Sequence, residues 1–291
     1  MKKVTLSIAV LFLSSHAYGS SCPNAPLTTY LNGGNFYSCT ENGGNLTISF
    51  NHDILPSYVG LNLLSSNNSA ANPSSINVLA LGPGLEFDSS AFSENSLVLS
   101  SQAELVHFLL NAGPNAITQT TFSLNNVFTD VGSLGLGTGL AVGQELLCVG
   151  GTFTSLPTGL VTSVANGILG SGAFGCNGTA LIGTAAASSG PLNAITSVLG
   201  LPNITGLGDT AIIQLSPVNQ SVVDVIKIQA LVSVLGGTAS DTGFGNTYTL
   251  SAGTATPEPG SFVLMLAAGL LLTGNRFMAR SLGKFATKVR R

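Results

Sequence analysis

Val223–Val234 reads VDVIKIQALVSV and alternates between apolar and polar residues over most of its length. Apolar side chains occupy every second position of Ile226–Val234, whereas Lys227, Gln229 and Ser233 lie between them. Successive side chains of a strand point to opposite faces of the sheet. The stretch therefore predicts an antiparallel strand with one buried face and one face in solvent.

Shorter runs of the same kind lie along the chain and are separated by residues that form turns. The runs are Asn45–Phe50, Ser75–Leu81, Glu104–Leu110, Thr120–Phe128, Gln144–Val149 and Ala211–Leu215. Gly236-Gly237 and Asp241-Thr242-Gly243 supply turn chemistry after the longest run. Glu104–Leu110 also fits a short helical turn. Many short strands with glycine- and asparagine-rich turns predict an all-β fold, a single jelly-roll-like β-sandwich.

Two segments that are poor in charge interrupt these runs. Gly132–Gly143 fits a bulged strand or a loop, and Thr158–Gly190 fits a long insertion held at Cys176. Neither has the proline-rich or charged composition of a linker. One domain is therefore expected over residues 20–255.

The composition excludes several classes of protein. Only 7% of the 291 residues are charged, against about 25% in an average soluble protein, and Trp is absent. Helical bundles, coiled coils and cytosolic α/β enzymes use more charge on their helix surfaces. Residues 20–256 carry eleven carboxylates against one cation, Lys227, a net charge of −10. That balance excludes nucleic-acid binding, which needs clustered Lys and Arg.

The N-terminal segment has the organisation of a secretory signal. Lys2 and Lys3 precede the apolar run Val4–Leu13, and a small-residue cleavage site follows at Ser15-His16-Ala17 or Ala17-Tyr18-Gly19. Ten apolar residues are too few to cross about 30 Å of hydrocarbon. We therefore expect residues 1–19 to direct export through the Sec machinery and to be removed.

The C-terminal segment, residues 256–291, has three parts. Pro257, Glu258 and Pro259 come first, and the apolar run Phe262–Leu272 follows. The 17 uncharged residues between Glu258 and the next charge are near the lower limit for a transmembrane helix. A basic tail ends the chain and is expected to stay in the cytoplasm. The cations of the tail are Arg276, Arg280, Lys284, Lys288, Arg290 and Arg291.

This order of parts resembles the PEP-CTERM sorting signal. The resemblance implies export in a Gram-negative bacterium, a transient anchor in the inner membrane, and removal of the tail by an exosortase-type membrane protease. The tail departs from the usual pattern because it continues well beyond its first arginines, with cations spaced as on an amphipathic helix at a membrane surface.

The interior is similar to a group of exported bacterial proteins that end in the same signal. The shared features are an opening pair of cysteines around Leu27–Tyr30, the stretch Cys148–Phe153 and the strand Asp224–Lys227. The group has no assigned activity. The resemblance therefore supports architecture and location only. Because the common catalytic motifs are missing, we expect a non-enzymatic protein of the cell surface or extracellular matrix, with extracellular polysaccharide or other copies of itself as partners.

The chain has four cysteines, an even number that fits an oxidising compartment. Three pairings are possible, and proximity along the chain favours Cys22 with Cys39 and Cys148 with Cys176. Metal binding by these cysteines is disfavoured because no Cys-x-x-Cys is present and few histidines accompany them.

Candidate catalytic and binding residues carry weak signals. His52 beside Asp53 fits a base with its orienting carboxylate, but a surface histidine in a turn is the favoured interpretation. Glu86 and Asp88 have the spacing to share one face of a strand, as two acids of a glycosidase do, although no Trp is available for sugar stacking. Gly170–Gly175 matches a dinucleotide-binding fingerprint by letter but lacks its context.

No catalytic residue and no cofactor is therefore predicted. Gly-x-Ser-x-Gly and His-Glu-x-x-His are both missing from the sequence. We expect the scattered carboxylates to solvate the surface. The alternatives are an adhesion module that binds calcium or glycan through loop carboxylates, with calcium in a structural role, and a secreted hydrolase.

Overall fold

A computed structural model gives the fold and describes residues 21–32, 37–41, 45–53, 55–64, 70–95, 100–132, 135, 137–155, 175–189, 208–215 and 220–251. All of these lie in the first of two compact units, Met1–Ala252. The predicted signal peptide, sorting motif, apolar run and basic tail lie outside the described residues. No helix within the described residues is long and apolar enough to cross a membrane.

The described residues are almost entirely β-strand, which confirms the all-β prediction. A short helix, α1 (Leu27–Leu31), and a 3-10 turn (Pro73–Ser75) are the helical elements there. The strands are β1 (Ala25–Pro26), β2 (Tyr37–Glu41), β3 (Leu46–Phe50), β4 (Tyr58–Leu64), β5 (Asn77–Ala80), β6 (Gly84–Asp88), β7 (Ser93–Asn95), β8 (Ser100–Asn111), β9 (Ala116–Asn125), β10 (Phe128–Asp130), β11 (Thr138–Val149), β12 (Thr179–Ser188), β13 (Thr210–Gln214), β14 (Val222–Val234), β15 (Thr238–Ser240) and β16 (Gly243–Ser251).

The strands form three sheets, and every pairing between them is antiparallel. A seven-stranded sheet has the order β12-β11-β14-β8-β3-β2, with β4 also paired to β8. A six-stranded sheet has the order β1-β5-β6-β16-β9-β13, and a three-stranded sheet has the order β10-β15-β7. Strand β14 is therefore central in the first sheet, and β16 is central in the second.

The two large sheets share one hydrophobic core. A chain of phenylalanine rings crosses between them: Phe50 and Phe108 of the seven-stranded sheet lie 5.5 Å apart, and Phe108 lies 6.1 Å from Phe87 of the six-stranded sheet. Phe87 then stacks on Phe244 at 5.4 Å. The two sheets thus pack through their inner faces, as in a β-sandwich.

Strand β14 is buried on both faces, and here the sequence prediction is wrong. Lys227, Gln229 and Ser233 are fully buried rather than exposed. The outer face, with Ile226 and Ile228, packs in a second hydrophobic cluster that also contains Leu55 and Phe153. Since segments outside the sheet cover this face, both parities of the strand are removed from water.

The structure decides between the interpretations of two segments and differs from the interpretation of a third. Glu104–Leu110 lies within strand β8, as its run of residues predicted, and forms no helical turn. Gly139–Gly143 belongs to β11, so the glycine-rich segment is partly regular strand. Thr179–Ser188, expected inside an insertion, is an edge strand paired with β11 along ten residues. Glycine and alanine fit there because β12 and β13 approach each other: a Cβ at Gly183 would meet Ile213 Cγ1 at 2.7 Å.

Candidate metal centre

The segment after strand β3 turns back over the outer face of the seven-stranded sheet. Asn51 has a positive φ of 52°, which an L-residue adopts at a cost and which Asn tolerates better than most. Its backbone N–H donates to Ser57 Oγ (2.7 Å), and its side-chain amide donates to the carbonyl of Leu31 (3.1 Å). These bonds fix the turn that carries His52 and Asp53.

Asp53 uses one carboxylate oxygen to hold this turn. Its Oδ1 accepts a hydrogen bond of 2.7 Å from the N–H of Leu55, a local side-chain to backbone bond typical of aspartate in turns. Its Oδ2 lies 3.3 Å from Nε2 of His52. Because these residues lie in a bend rather than a strand, adjacent side chains can meet.

His107 and Asp224 approach the same point from two neighbouring strands. His107 on β8 is opposite Ile226, and Asp224 on β14 is opposite Leu109. The two are therefore diagonal neighbours on the outer face, close enough for side chains to meet. His107 Nε2 lies 2.8 Å from Asp224 Oδ1, and both side chains are buried.

His52, Asp53, His107 and Asp224, which we call the His–Asp quartet, converge on one small volume. His52 Nε2 lies 3.2 Å from Asp224 Oδ1, and the two imidazole rings are 4.7 Å apart. One ligand atom from each residue lies within 4.8 Å of all the others. Two histidine nitrogens and two carboxylates are thus gathered from three separate parts of the chain.

Several polar atoms of the quartet are buried without a hydrogen-bond partner among the described residues. They are both ring nitrogens of His52, Oδ2 of Asp53 and Nδ1 of His107. The side chain of His52 is only 3% exposed, whereas that of Asp53 is 20% exposed. Each buried polar atom left without a partner costs about 1–3 kcal/mol. Two of these atoms, His52 Nε2 and Asp53 Oδ2, lie at the point where the quartet converges and would be satisfied by a bound group, and Asp53 provides its contact with solvent.

The carboxylate of Asp224 is held in its ionised form. Burial would raise its pKa, but the hydrogen bonds from His107 and from the N–H of Phe153, together with the neighbouring imidazole of His52, outweigh burial and lower the pKa to about 2. An anionic oxygen at the centre of the quartet is what binding of a cation requires.

A disulfide supports the quartet from the next strand. Cys148 on β11 is opposite Asp224 and is bonded to Cys176. Cys176 in turn forms an isolated β-bridge with Phe153, whose N–H donates to Asp224 Oδ2 at 2.7 Å. Hydrogen bonds of this kind orient the first ligands of a metal site.

The structure joins both pairs of cysteines that sequence proximity favours. Cys22 is bonded to Cys39, and Cys148 to Cys176. No free cysteine remains.

The interpretation of His52 as a surface histidine is wrong. Its segment is a turn, as expected, but this turn packs onto the sheet and buries the imidazole. His107 and Asp224 carried no prediction of their own. One signal was present: Asp224 shares the parity of Ile226 and Ile228, so an acid stands on an apolar face of the strand.

The expectation that the carboxylates mainly solvate the surface is also wrong. Six of the eleven between residues 20 and 256 are buried, and most of these have hydrogen-bond donors that a sequence pattern does not indicate. They are Glu41, Glu94, Glu104, Glu145, Asp224 and Asp241.

Glu86 and Asp88 occupy alternate positions of β6, as expected for one face of a strand. Glu86 accepts a hydrogen bond from the Asn125 side chain. Neither residue belongs to the quartet.

Comparison of the chain with protein-family models, with curated proteins and with solved structures gives no match.

Proposed function

We propose that this chain is an exported, non-enzymatic protein of the cell surface or extracellular matrix whose β-domain binds one transition-metal ion of the Zn²⁺ class at the His–Asp quartet. The observation that carries the metal assignment is the convergence of two buried histidine nitrogens and two carboxylate oxygens. The fold around it is taken to be a single jelly-roll-like sandwich.

Three of the six spacings among the four ligand atoms are near those of a tetrahedral ion. Metal bonds of about 2.0–2.1 Å place neighbouring ligands of a tetrahedral zinc about 3.3 Å apart. Asp224 Oδ1 lies 3.2 Å from His52 Nε2 and 2.8 Å from His107 Nε2, and Asp53 Oδ2 lies 3.3 Å from His52 Nε2. An ion among these atoms would also satisfy His52 Nε2 and Asp53 Oδ2.

The donor set favours a transition metal over calcium. Ca²⁺ takes six to eight oxygen ligands, whereas imidazole nitrogen suits zinc, copper, iron and nickel. Four protein ligands occupy all four coordination positions of a tetrahedral ion and leave none for a substrate, which is typical of structural zinc. This supports a structural role and a non-enzymatic protein.

Calorimetric titration of Zn²⁺ into metal-stripped protein, purified without a histidine tag, tests the assignment. We expect saturable binding of one Zn²⁺ per chain, and no such binding when Ca²⁺ is titrated. Glu86→Gln, a change to an acid on the other large sheet, is the matched control and should bind zinc like wild type. Absence of saturable zinc binding by the wild-type chain would overturn the proposal.

The export part of the proposal rests on the two disulfides and on the terminal segments. Cross-links of this kind form in oxidising compartments, and the Pro257–Pro259 segment with its apolar run and basic tail is the expected exosortase substrate. Intact-mass analysis of the mature protein from its host should show a chain that ends near Pro257–Pro259. A dominant species that still carries residues 264–291 would contradict processing.

A further inference from the structure

Lys227 is the single cation between Lys3 and Arg276, and it lies in the interior. Its side chain is fully buried between the two large sheets. Three phenylalanine rings surround its Nζ, those of Phe122, Phe87 and Phe108, with centroids 5.4, 5.8 and 5.9 Å away. A charged ammonium in such surroundings carries a large desolvation cost.

Two polar side chains contact this lysine or its acceptor and form a continuous chain of hydrogen bonds. Lys227 Nζ donates to Oδ1 of Asn246, which lies on β16 in the opposite sheet. Asn246 Nδ2 donates to Oε1 of Glu145, which lies on β11 directly opposite Lys227. Thr120 Oγ1 donates to the second carboxylate oxygen of Glu145. We call Lys227, Asn246 and Glu145 the Lys–Asn–Glu triad, and each member is at most 1% exposed.

The triad is not arranged as an ion pair. The ion pairs among the described residues all involve His52 or His107, and Lys227 lies within ion-pair distance of no carboxylate there. Burial lowers the pKa of Lys227 and raises the pKa of Glu145. The neutral amine and the protonated carboxyl are therefore the forms that suit this environment, and a neutral amine is a nucleophile.

We infer that Lys227 and Asn246 form an intramolecular amide bond, with Glu145 as the proton-transfer group. In this step the lone pair of Lys227 Nζ attacks Cγ of Asn246, and the C=O electrons move to Oδ1. Glu145 relays a proton from Nζ to Nδ2. The C=O bond then re-forms, the Cγ–Nδ2 bond breaks and ammonia leaves. One amine and one primary amide give one secondary amide and one ammonia, with no oxidant, reductant or further reactant, and Glu145 is regenerated.

The contacts place the attacking nitrogen and the leaving nitrogen where this step needs them. Nζ touches Oδ1, and the carbon under attack is one C=O bond, about 1.23 Å, from that oxygen. Glu145 contacts Nδ2, the atom that leaves. The surrounding phenylalanines exclude water, and groups held in this way react with high effective molarity. The bond would join the central strands of the two large sheets.

A tryptic digest of the wild-type chain tests the bond directly. Between Lys3 and Arg276 trypsin has one site, after Lys227, and an acylated lysine is not cleaved. After denaturation and reduction we expect no cleavage there, and a chymotryptic map should contain a branched peptide that links Lys227 to Asn246. The mass of the mature chain should be lower than its sequence mass by one ammonia, besides the hydrogens lost to the two disulfides. Complete cleavage after Lys227 and no loss of ammonia would overturn the inference.

Variants then test the role of Glu145. Glu145→Gln should retain the ammonia and be cleaved after Lys227. The matched control is Glu104→Gln, since Glu104 is another fully buried carboxylate of the same sheet but bonds the N–H of Ala71 instead of Asn246. This control should lose ammonia like wild type; retention of ammonia in it would show that Glu145 has no special role. The wild-type digest decides the bond itself even where a variant does not fold.

Discussion

Strand β14 carries one polar cluster on each face, and the two clusters differ in access to solvent. On the outer face, Asp224 belongs to the His–Asp quartet, which reaches the surface through Asp53, 20% exposed. On the inner face, Lys227 belongs to the Lys–Asn–Glu triad, which is enclosed between the sheets. The outer cluster presents donor atoms without partners, whereas each member of the inner cluster contacts another. Because of this difference, the His–Asp quartet can exchange a ligand with solvent, whereas the members of the Lys–Asn–Glu triad can react only with one another.

The largest effect is expected from removing the inner cross-link. Glu145→Gln should lower the free energy of unfolding by about 3 kcal/mol, because a bond between residues 19 apart constrains the unfolded chain as a disulfide of similar loop length does. Chemical denaturation of the variant and wild type measures this. Equal stabilities would contradict a covalent link on the inner face.

The outer face should respond to loss of a ligand by losing metal affinity. His107→Ala should weaken zinc binding at least about 100-fold, equivalent to about 2.7 kcal/mol, because one of four ligands is removed. Calorimetry of the metal-stripped variant measures the change, and the ammonia loss at Lys227 should persist. A variant that binds zinc like wild type would exclude His107 from the site.

The pH dependence of stability should come from inner-face carboxylates. Burial raises the pKa of Glu104 to about 7 despite its bond from Ala71. A carboxyl whose pKa is higher in the folded state than in the unfolded state favours folding at low pH, and its contribution falls as pH rises from about 4.5 through 7. Between pH 5 and pH 7 the ionisation of Glu104 should lower the free energy of unfolding by about 2 kcal/mol.

Glu104→Gln isolates this contribution because an amide does not titrate. Between pH 5 and pH 7 the free energy of unfolding of the variant should fall by about 2 kcal/mol less than that of wild type. The remaining decline is expected from the other buried carboxyls whose pKa burial raises, among them Asp241, with a pKa raised to about 7, and Glu145. Parallel pH profiles for the variant and wild type would refute the assignment to Glu104.

The smallest effect tests how the disulfide supports the quartet. Replacing Cys148 and Cys176 together by serine should weaken zinc binding about tenfold, because the Phe153 N–H that holds Asp224 loses its anchor. The same change at Cys22 and Cys39, a pair outside the quartet, is the control and should leave zinc affinity unchanged. Equal losses in both double variants would indicate a general loss of stability instead.

Features with local causes could be predicted from the sequence. Alternation in Asn45–Phe50 and Val223–Val234 led to the strands β3 and β14, and proximity along the chain led to both cysteine pairs. Strand periodicity and short loop closures depend on neighbouring residues, so a single sequence contains them.

The two clusters could not be predicted because their partners are far apart in the chain. Polar Lys227 was assigned to solvent since burying a polar group without a partner is costly. Its cluster is completed by contacts between residues 101 apart, Asn246 and Glu145. In the same way His107 meets Asp224 across 117 residues. A local sequence pattern shows that burying a polar side chain would be costly. It does not show which distant residues bond to that side chain and offset the cost.

Mass spectrometry of one wild-type sample, first native and then denatured, tests the contrast between the two faces most directly. With zinc supplied, the native protein should carry one Zn²⁺ and should lack one ammonia relative to its sequence. After acid denaturation the zinc should be lost while the ammonia deficit remains, because one face binds reversibly and the other is joined covalently. A denatured chain whose mass shows no loss of ammonia would contradict the amide bond on the inner face. A native chain without zinc would contradict the metal site on the outer face.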